Sequence, residues 1–150
     1  KKLHAQGFTN LHGVDNSIHM LNHAPKDIAT YILSDVFPKD QYDMILCNWT
    51  LHFIKDKENY LKSMSDSLTN GGTMIISEKT SKNADLIKMY HDHKLKLGVP
   101  KKTIKEKQRQ IENVMFINSA EWFQRKLSAL GFTVAVMDAD WCFTTFLCKK

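Results

Sequence analysis

The sequence predicts an α/β fold: a mostly parallel sheet that ends in a C-terminal antiparallel hairpin. Three observations carry this expectation. Apolar runs of strand length alternate with segments of helical periodicity along the 150 residues, as when helical crossovers lay strands side by side. The run YDMILCNWT, 42–50, is apolar through its centre, as a strand buried on both faces requires. The last two runs, 132–138 and 141–149, are separated by a short turn. A parallel crossover needs about a dozen residues, so these two strands pair antiparallel.

The elements follow in order. KKLHAQGF reads as the end of a helix stopped by Gly7. NLHGVD, 10–15, is a short strand, and NSIHMLNHA, 16–24, is a helix capped by Asn16 or Ser17 and ended by Pro25. YILSDV, 31–36, is a second strand that ends at an acid, and 42–50 is the third. DKENYLKSMSDSL, 56–68, sets Tyr60, Leu61, Met64 and Leu68 on one helical face. TNGG, 69–72, is a turn before the strand TMIISEK, 73–79. The long helical region 83–115 breaks near Gly98 and Pro100. A helix over 119–132 takes Ser119 as a lone N-cap, because Trp122 stands where a capping box needs Glu or Gln, and Gly131 stops it.

The length suits one domain, 1–150, with a real core. The composition is globular, 43% hydrophobic and 25% charged, and no apolar run reaches the length of a membrane span. No hydrophobic stretch follows the opening lysines, so no signal peptide is read there. Cys47, Cys142 and Cys148 form no CxxC and read as reduced core thiols of a cytoplasmic protein. Of the net charge of +5, much lies between Lys79 and Arg109, where ten Lys or Arg face three acids. That run is either a solvated helical face or a patch for nucleic acid or anionic substrates. The chain opens as if in mid-helix and without Met, so it is expected to be a fragment lacking its natural start.

Ligands of open α/β sheets bind at the carboxyl ends of the strands. Three such ends carry polar groups in succession: Asp15 and Asn16, then Asp35, then Asn48. A carboxylate accepts both hydrogen bonds of a vicinal diol, so Asp15 suits a ribose. Asp35 and the backbone of Val36 suit an adenine edge, and Asn48, which donates and accepts, suits an amino-acid moiety. Asp15 and Asn16 also fit a simple role as helix caps.

With GVDNSIHML, YDMILCNWTLHFI, LTNGGTMIISEKT and IENVM on the page, the chain from Leu11 to Lys149 resembles the Rossmann-like class I S-adenosylmethionine-dependent methyltransferases. More narrowly, it resembles the carboxy-S-adenosylmethionine synthases, which serve tRNA wobble-uridine modification. The resemblance implies S-adenosylmethionine or its carboxy derivative as cofactor, with Asp15 and Asn16 at the ribose, Asp35 and Val36 at the adenine, and Asn48 after the family's fourth strand. It also implies a small-molecule or tRNA-pathway substrate, and a homodimer formed through 83–115. Two departures stand out. No G-x-G occurs, so the family's first strand and glycine-rich loop are expected to be missing, which leaves a gap at the centre of the sheet. The arginine that holds the added carboxylate in the synthases falls on Gln108, beside Arg109. Gln cannot form a charged bidentate clamp, and one helical step turns a side chain by about 100°.

Methyl transfer asks mainly for alignment and desolvation, and needs a base only where the acceptor loses a proton. His52 is a candidate base or a loop histidine. Glu78 and Lys79 either face the acceptor or form a surface pair. Tyr90, Trp122 and Trp141 either line a pocket or pack the core. His19 and His23 have i, i+4 spacing but no HExxH and no third ligand, and His91 and His93 point apart on a helix, so no metal site is assigned. Three readings follow: a methyltransferase-like enzyme with no catalytic residue assigned, a carboxy-S-adenosylmethionine synthase, or a non-catalytic interaction module of the same fold.

Overall fold

The computed structural model describes residues 2–25 and 30–150. The chain divides into two compact units, Lys1–Asp40 and Gln41–Lys150.

The first unit holds α1 (Lys2–Ala5), β1 (His12–Asp15), α2 (Ile18–Asn22) and β2 (Thr30–Leu33). Gly7 ends α1 at φ 92°, and the Phe8 N–H returns to the Leu3 carbonyl at 3.2 Å. β1 and β2 pair in parallel, with Gly13 opposite Tyr31 and Asp15 opposite Leu33. A Cβ on Gly13 would lie 2.6 Å from the Tyr31 ring, so this strand needs glycine there. Ser17 is the cap of α2: its hydroxyl accepts the Met20 N–H at 3.3 Å. β2 is shorter than the sequence suggests. It ends at Leu33, and Asp35 lies in the bend beyond it.

The second unit holds β3 (Tyr42–Asn48), a 3-10 turn (Leu51–Phe53), α3 (Lys57–Asp66), β4 (Leu68–Lys79), α4 (Ala84–Lys96), α5 (Lys101–Glu112), α6 (Ala120–Ala129), β5 (Thr133–Asp140) and β6 (Phe143–Lys149). Its sheet runs β3-β4-β6-β5. β3 and β4 are parallel, whereas β6 runs antiparallel to both β4 and β5. With β1–β2, the described strands make two parallel and two antiparallel pairings. The sheet structure is therefore mixed, which corrects the expectation of a mostly parallel sheet. The cause is the hairpin: β6 lies between β4 and β5, so its reversal counts on both of its edges.

β3 is also corrected. Ile45 and Cys47 are buried, but Met44 and Leu46 on its other face are 47% and 42% exposed. Its apolar run therefore behaves with the two-residue period of a strand covered on one face. TNGG leaves the ladder as expected, although it lies within the bounds of β4. Tyr42 pairs with Leu68 and Met44 with Thr73, so residues 69–72 bulge out, with Gly71 at φ 78°.

Side-chain caps start α3, α4 and α6. Asp56 accepts the Asn59 N–H before α3, and Ser119 accepts the Trp122 N–H at 3.3 Å before α6. Gly98, at φ 82°, and Pro100 separate α4 from α5. α3 buries Leu61 and Met64, while Leu68 already belongs to β4. The core sets these two against Met74, Ile76, Phe123 and Phe146, all without exposed surface. The Phe123 and Phe146 rings lie 5.7 Å apart. No helix among the described residues is long and apolar enough to cross a membrane.

Phe123→Ala removes the largest side chain that α6 contributes to this core. Its expected cost is about 3–5 kcal/mol of stability, read as a lower urea midpoint at unchanged slope.

Candidate functional site

The carboxyl end of β4 delivers a charge to the interior. Period two places Met74, Ile76 and Glu78 on the buried face of the strand, and Glu78 has no exposed surface. Its Oε1 accepts the N–H groups of Thr50 at 2.7 Å and Leu51 at 2.6 Å. Its Oε2 accepts the His52 N–H at 3.2 Å and lies 2.5 Å from His52 Nδ1. These N–H groups open the 3-10 turn after β3, where no intrahelical acceptor exists. A side chain on one strand thus caps the turn that leaves its neighbour.

The clamp holds a strained loop. Trp49, between Asn48 and the clamped residues, has φ 55°, and its N–H donates to the Ser77 carbonyl at 2.8 Å. Trp141, in the β5–β6 turn, has φ 49°. Bulky side chains in this region cost about 1–3 kcal/mol each and persist where the surroundings over-determine them. Both strained tryptophans border one cleft of about 610 Å³, with Asn48, Ser77, Tyr90 and Asp138 among its walls. Asn48, Ser77, Thr145 and Asp138 face one another in register across all four strands. This polar row is tied by a 2.9 Å bond between the Ser77 and Thr145 hydroxyls.

A second cleft, of about 260 Å³, shares Trp49, Tyr90, Lys94 and Phe143 with the first. His52, Lys79, His91 and Lys107 also line it. Lys79 is 7% exposed, and its ammonium has neither a hydrogen bond nor an ion-pair partner among the described residues. Burial, and then the charges of Lys94 and Lys79, lower the His91 pKa. Burial first and the Glu78 charge second push the Cys47 thiol up to about 12. That thiol stays protonated, as expected of a core residue.

The expected site residues divide between the units. In the first unit, Asp15 Oδ1 accepts the N–H of Ser17, the residue that caps α2, at 2.8 Å, while its other oxygen has no partner among the described residues. Asn16, Asp35 and Val36 are exposed, and the Val36 N–H already meets Ser34 Oγ at 3.2 Å. In the second unit, Asn48 ends β3 with an exposed side chain. Gln108 lines the smaller cleft, whereas Arg109, one step on, is exposed and outside its lining. Tyr90 and Trp141 line a cleft, and Trp122 packs edge-on against Phe123 at 5.1 Å instead. His23 Nδ1 is engaged with the His19 carbonyl at 2.8 Å, and the His93 ring stacks on Trp141 at 4.5 Å.

Comparison with known proteins bears on this arrangement. The family model described as a methyltransferase domain matches residues 1–76. The chain belongs to this family. A carboxy-S-adenosyl-L-methionine synthase of Erwinia tasmaniensis is 30% identical over 136 residues, covering 79% of this chain and 55% of the relative. That of Campylobacter curvus is 30% identical over 158 aligned positions, covering 93% of this chain and 67% of the relative. The chain therefore spans between 55% and 67% of the length of these two relatives. A solved S-adenosylmethionine-dependent methyltransferase of Mesorhizobium loti superposes with a TM-score of 0.70 at 15% identity, over 98% of this chain and 83% of that one. The fold is the Rossmann-like class I methyltransferase fold.

In this methyltransferase domain the Glu78 clamp and the buried Lys79 are what sequence reasoning left undecided. Read as a possible surface pair, both prove buried, on opposite faces of β4. The available signal was their position: they end an otherwise apolar strand, and one acid within its buried alternation demands a partner. Glu78→Leu leaves three N–H groups and the His52 ring without their acceptor. Its expected cost is about 3–5 kcal/mol, checked by chemical denaturation of both proteins.

Proposed function

We propose that the protein binds S-adenosylmethionine and transfers its methyl group to a small acceptor. The observation that carries this reading is the clamped loop at the carboxyl end of β3. It presents Asn48 and Trp49 to an aromatic-walled cleft in a domain of the methyltransferase family. When bound, S-adenosylmethionine supplies an already activated sulfonium methyl, so the residues mainly bind, orient and exclude water. Unit by unit, the donor set fits. Asp15 keeps one carboxylate oxygen for the ribose diol, Asp35 is exposed for the adenine, and the Asn48 amide has no partner among the described residues. Asn16 joins Asp15 at the ribose. Val36 fits less well, since Ser34 competes for its N–H.

The alternative reading, a carboxy-S-adenosylmethionine synthase acting toward tRNA modification, is supported by the smaller cleft. Gln108 stands there without an arginine, yet Lys79, Lys94 and Lys107 line the same walls. They offer a carboxylate the positive charge that Gln108 lacks, as point charges and not as a planar fork. Three buried free thiols accord with a cytoplasmic setting.

Calorimetric titration of the full-length gene product with S-adenosylmethionine tests the main reading. Saturable binding that Asp15→Ala weakens about tenfold or more is expected, one lost charged acceptor being worth about 1.5–3 kcal/mol. No binding refutes both enzyme readings and leaves the interaction module.

We also propose a homodimer through α4 and α5. α4 buries no residue and α5 only Ile104, and Met89, Leu95 and Leu97 are 53%, 40% and 69% exposed. Light scattering is expected to give twice the chain mass, and a monomer at micromolar concentration refutes the dimer.

A further inference from the structure

His52 is fixed in place more firmly than a loop residue requires. Its N–H donates to Glu78, its carbonyl accepts the Phe116 N–H at 2.7 Å, and its Nδ1 lies 2.5 Å from Glu78 Oε2. The carboxylate already accepts three main-chain N–H groups, so it accepts here too and Nδ1 is the donor. In a neutral ring this tautomer leaves Nε2 with a free lone pair. Nε2 has no hydrogen-bond partner among the described residues, and the ring lines the smaller cleft.

The other polar groups of that cleft cannot do what this nitrogen can. Lysine ammonium groups carry no lone pair, and the Gln108 amide is not a base. His91 has no carboxylate bonded to its ring among the described residues. Among the described residues of that cleft, only His52 combines a free ring nitrogen with a buried carboxylate behind it, the arrangement by which a base is oriented.

We infer that His52 is the general base of the transfer reaction, that Glu78 positions it, and that the acceptor is a protic nucleophile, an alcohol or phenol. The inference rests on the methyl-transfer reading. The hydroxyl oxygen of the acceptor forms the new bond to the methyl carbon while the carbon–sulfur bond breaks and its electron pair stays on sulfur. The hydroxyl proton passes to His52 Nε2. The resulting imidazolium is held against the Glu78 carboxylate until its proton leaves to solvent. Glu78 touches the ring, Lys79 on β4, His91 and Lys94 on α4 and Lys107 on α5 line the same cleft, and the charge of Lys57 on α3 is felt at Glu78.

Two measurements on the chain without cofactor test this. The first is two-bond nitrogen–proton correlation NMR of the nitrogen-labelled protein at mildly alkaline pH. The expected result is a neutral His52 ring with the proton on Nδ1. A proton on Nε2, or an imidazolium that persists, overturns the base. Glu78→Gln is expected to lose the Nδ1 preference; if that variant does not fold, the unsubstituted protein still decides. The second uses 4-nitrophenol, a chromogenic phenol, at mildly acidic pH. Binding is expected to convert it to the yellow phenolate beyond its ionisation in buffer, and His52→Gln to abolish that gain. No binding, no gain, or a gain kept in His52→Gln overturns the acceptor class. The two failures are distinguishable: absence of S-adenosylmethionine binding removes the transfer reading, whereas binding with the proton on Nε2 removes the base alone.

Discussion

The Glu78 carboxylate, wholly removed from water, accepts three consecutive main-chain N–H groups and lies against His52 Nδ1. An isolated charge at this depth is prohibitively costly, so the residue is stable only while all these donors converge on it. Hydrogen bonds to a charged acceptor contribute about 1.5–3 kcal/mol each. That scale is enough to hold Trp49 in a backbone region that a bulky side chain avoids. The turn after β3, the exposure of Asn48, the tilt of Trp49 into the clefts and the aim of the His52 ring all depend on this one contact.

The clamp also explains how two clefts of different character adjoin. Trp49, Tyr90 and Phe143 belong to both. On one side the walls bring Lys79 and His52, and on the other the polar row of Asn48, Ser77, Thr145 and Asp138. Tyr90 meets Phe143 edge-on at 5.1 Å and carries Lys94 over its face at 4.0 Å. α4, which supplies Tyr90 and Lys94, buries no residue of its own. The firmly packed side of the clefts is therefore the sheet with its clamp, and the less buried side is the helical one.

Much of the fold was legible because local rules and tertiary packing agree. Ser119, Gly131 and the Gly98–Pro100 break act in the structure as their chemistry dictates. Where the sequence misled, a longer-range effect decided. The apolar run of β3 does not reveal how many faces are covered, and one of them is open at Met44 and Leu46. The hairpin required two antiparallel strands, but only pairing showed that β6 reverses against β4 as well as β5.

The sequence by itself determined that Asp15 and Asn48 close their strands and the family to which the pattern points, because spacing along strands and helices is a local property; Asp35 instead lies in the bend beyond β2. It also showed that Arg109 is no automatic substitute for the residue at Gln108, since adjacent helical positions face different ways, and the smaller cleft is lined by Gln108 and not by Arg109. Only the tertiary structure decided the fate of Glu78, Lys79 and His52. Glu78 lies 26 residues from His52 in sequence. Whether such an acid is a surface charge or the anchor of a neighbouring turn depends on which strand it pairs beside, and no local pattern records that.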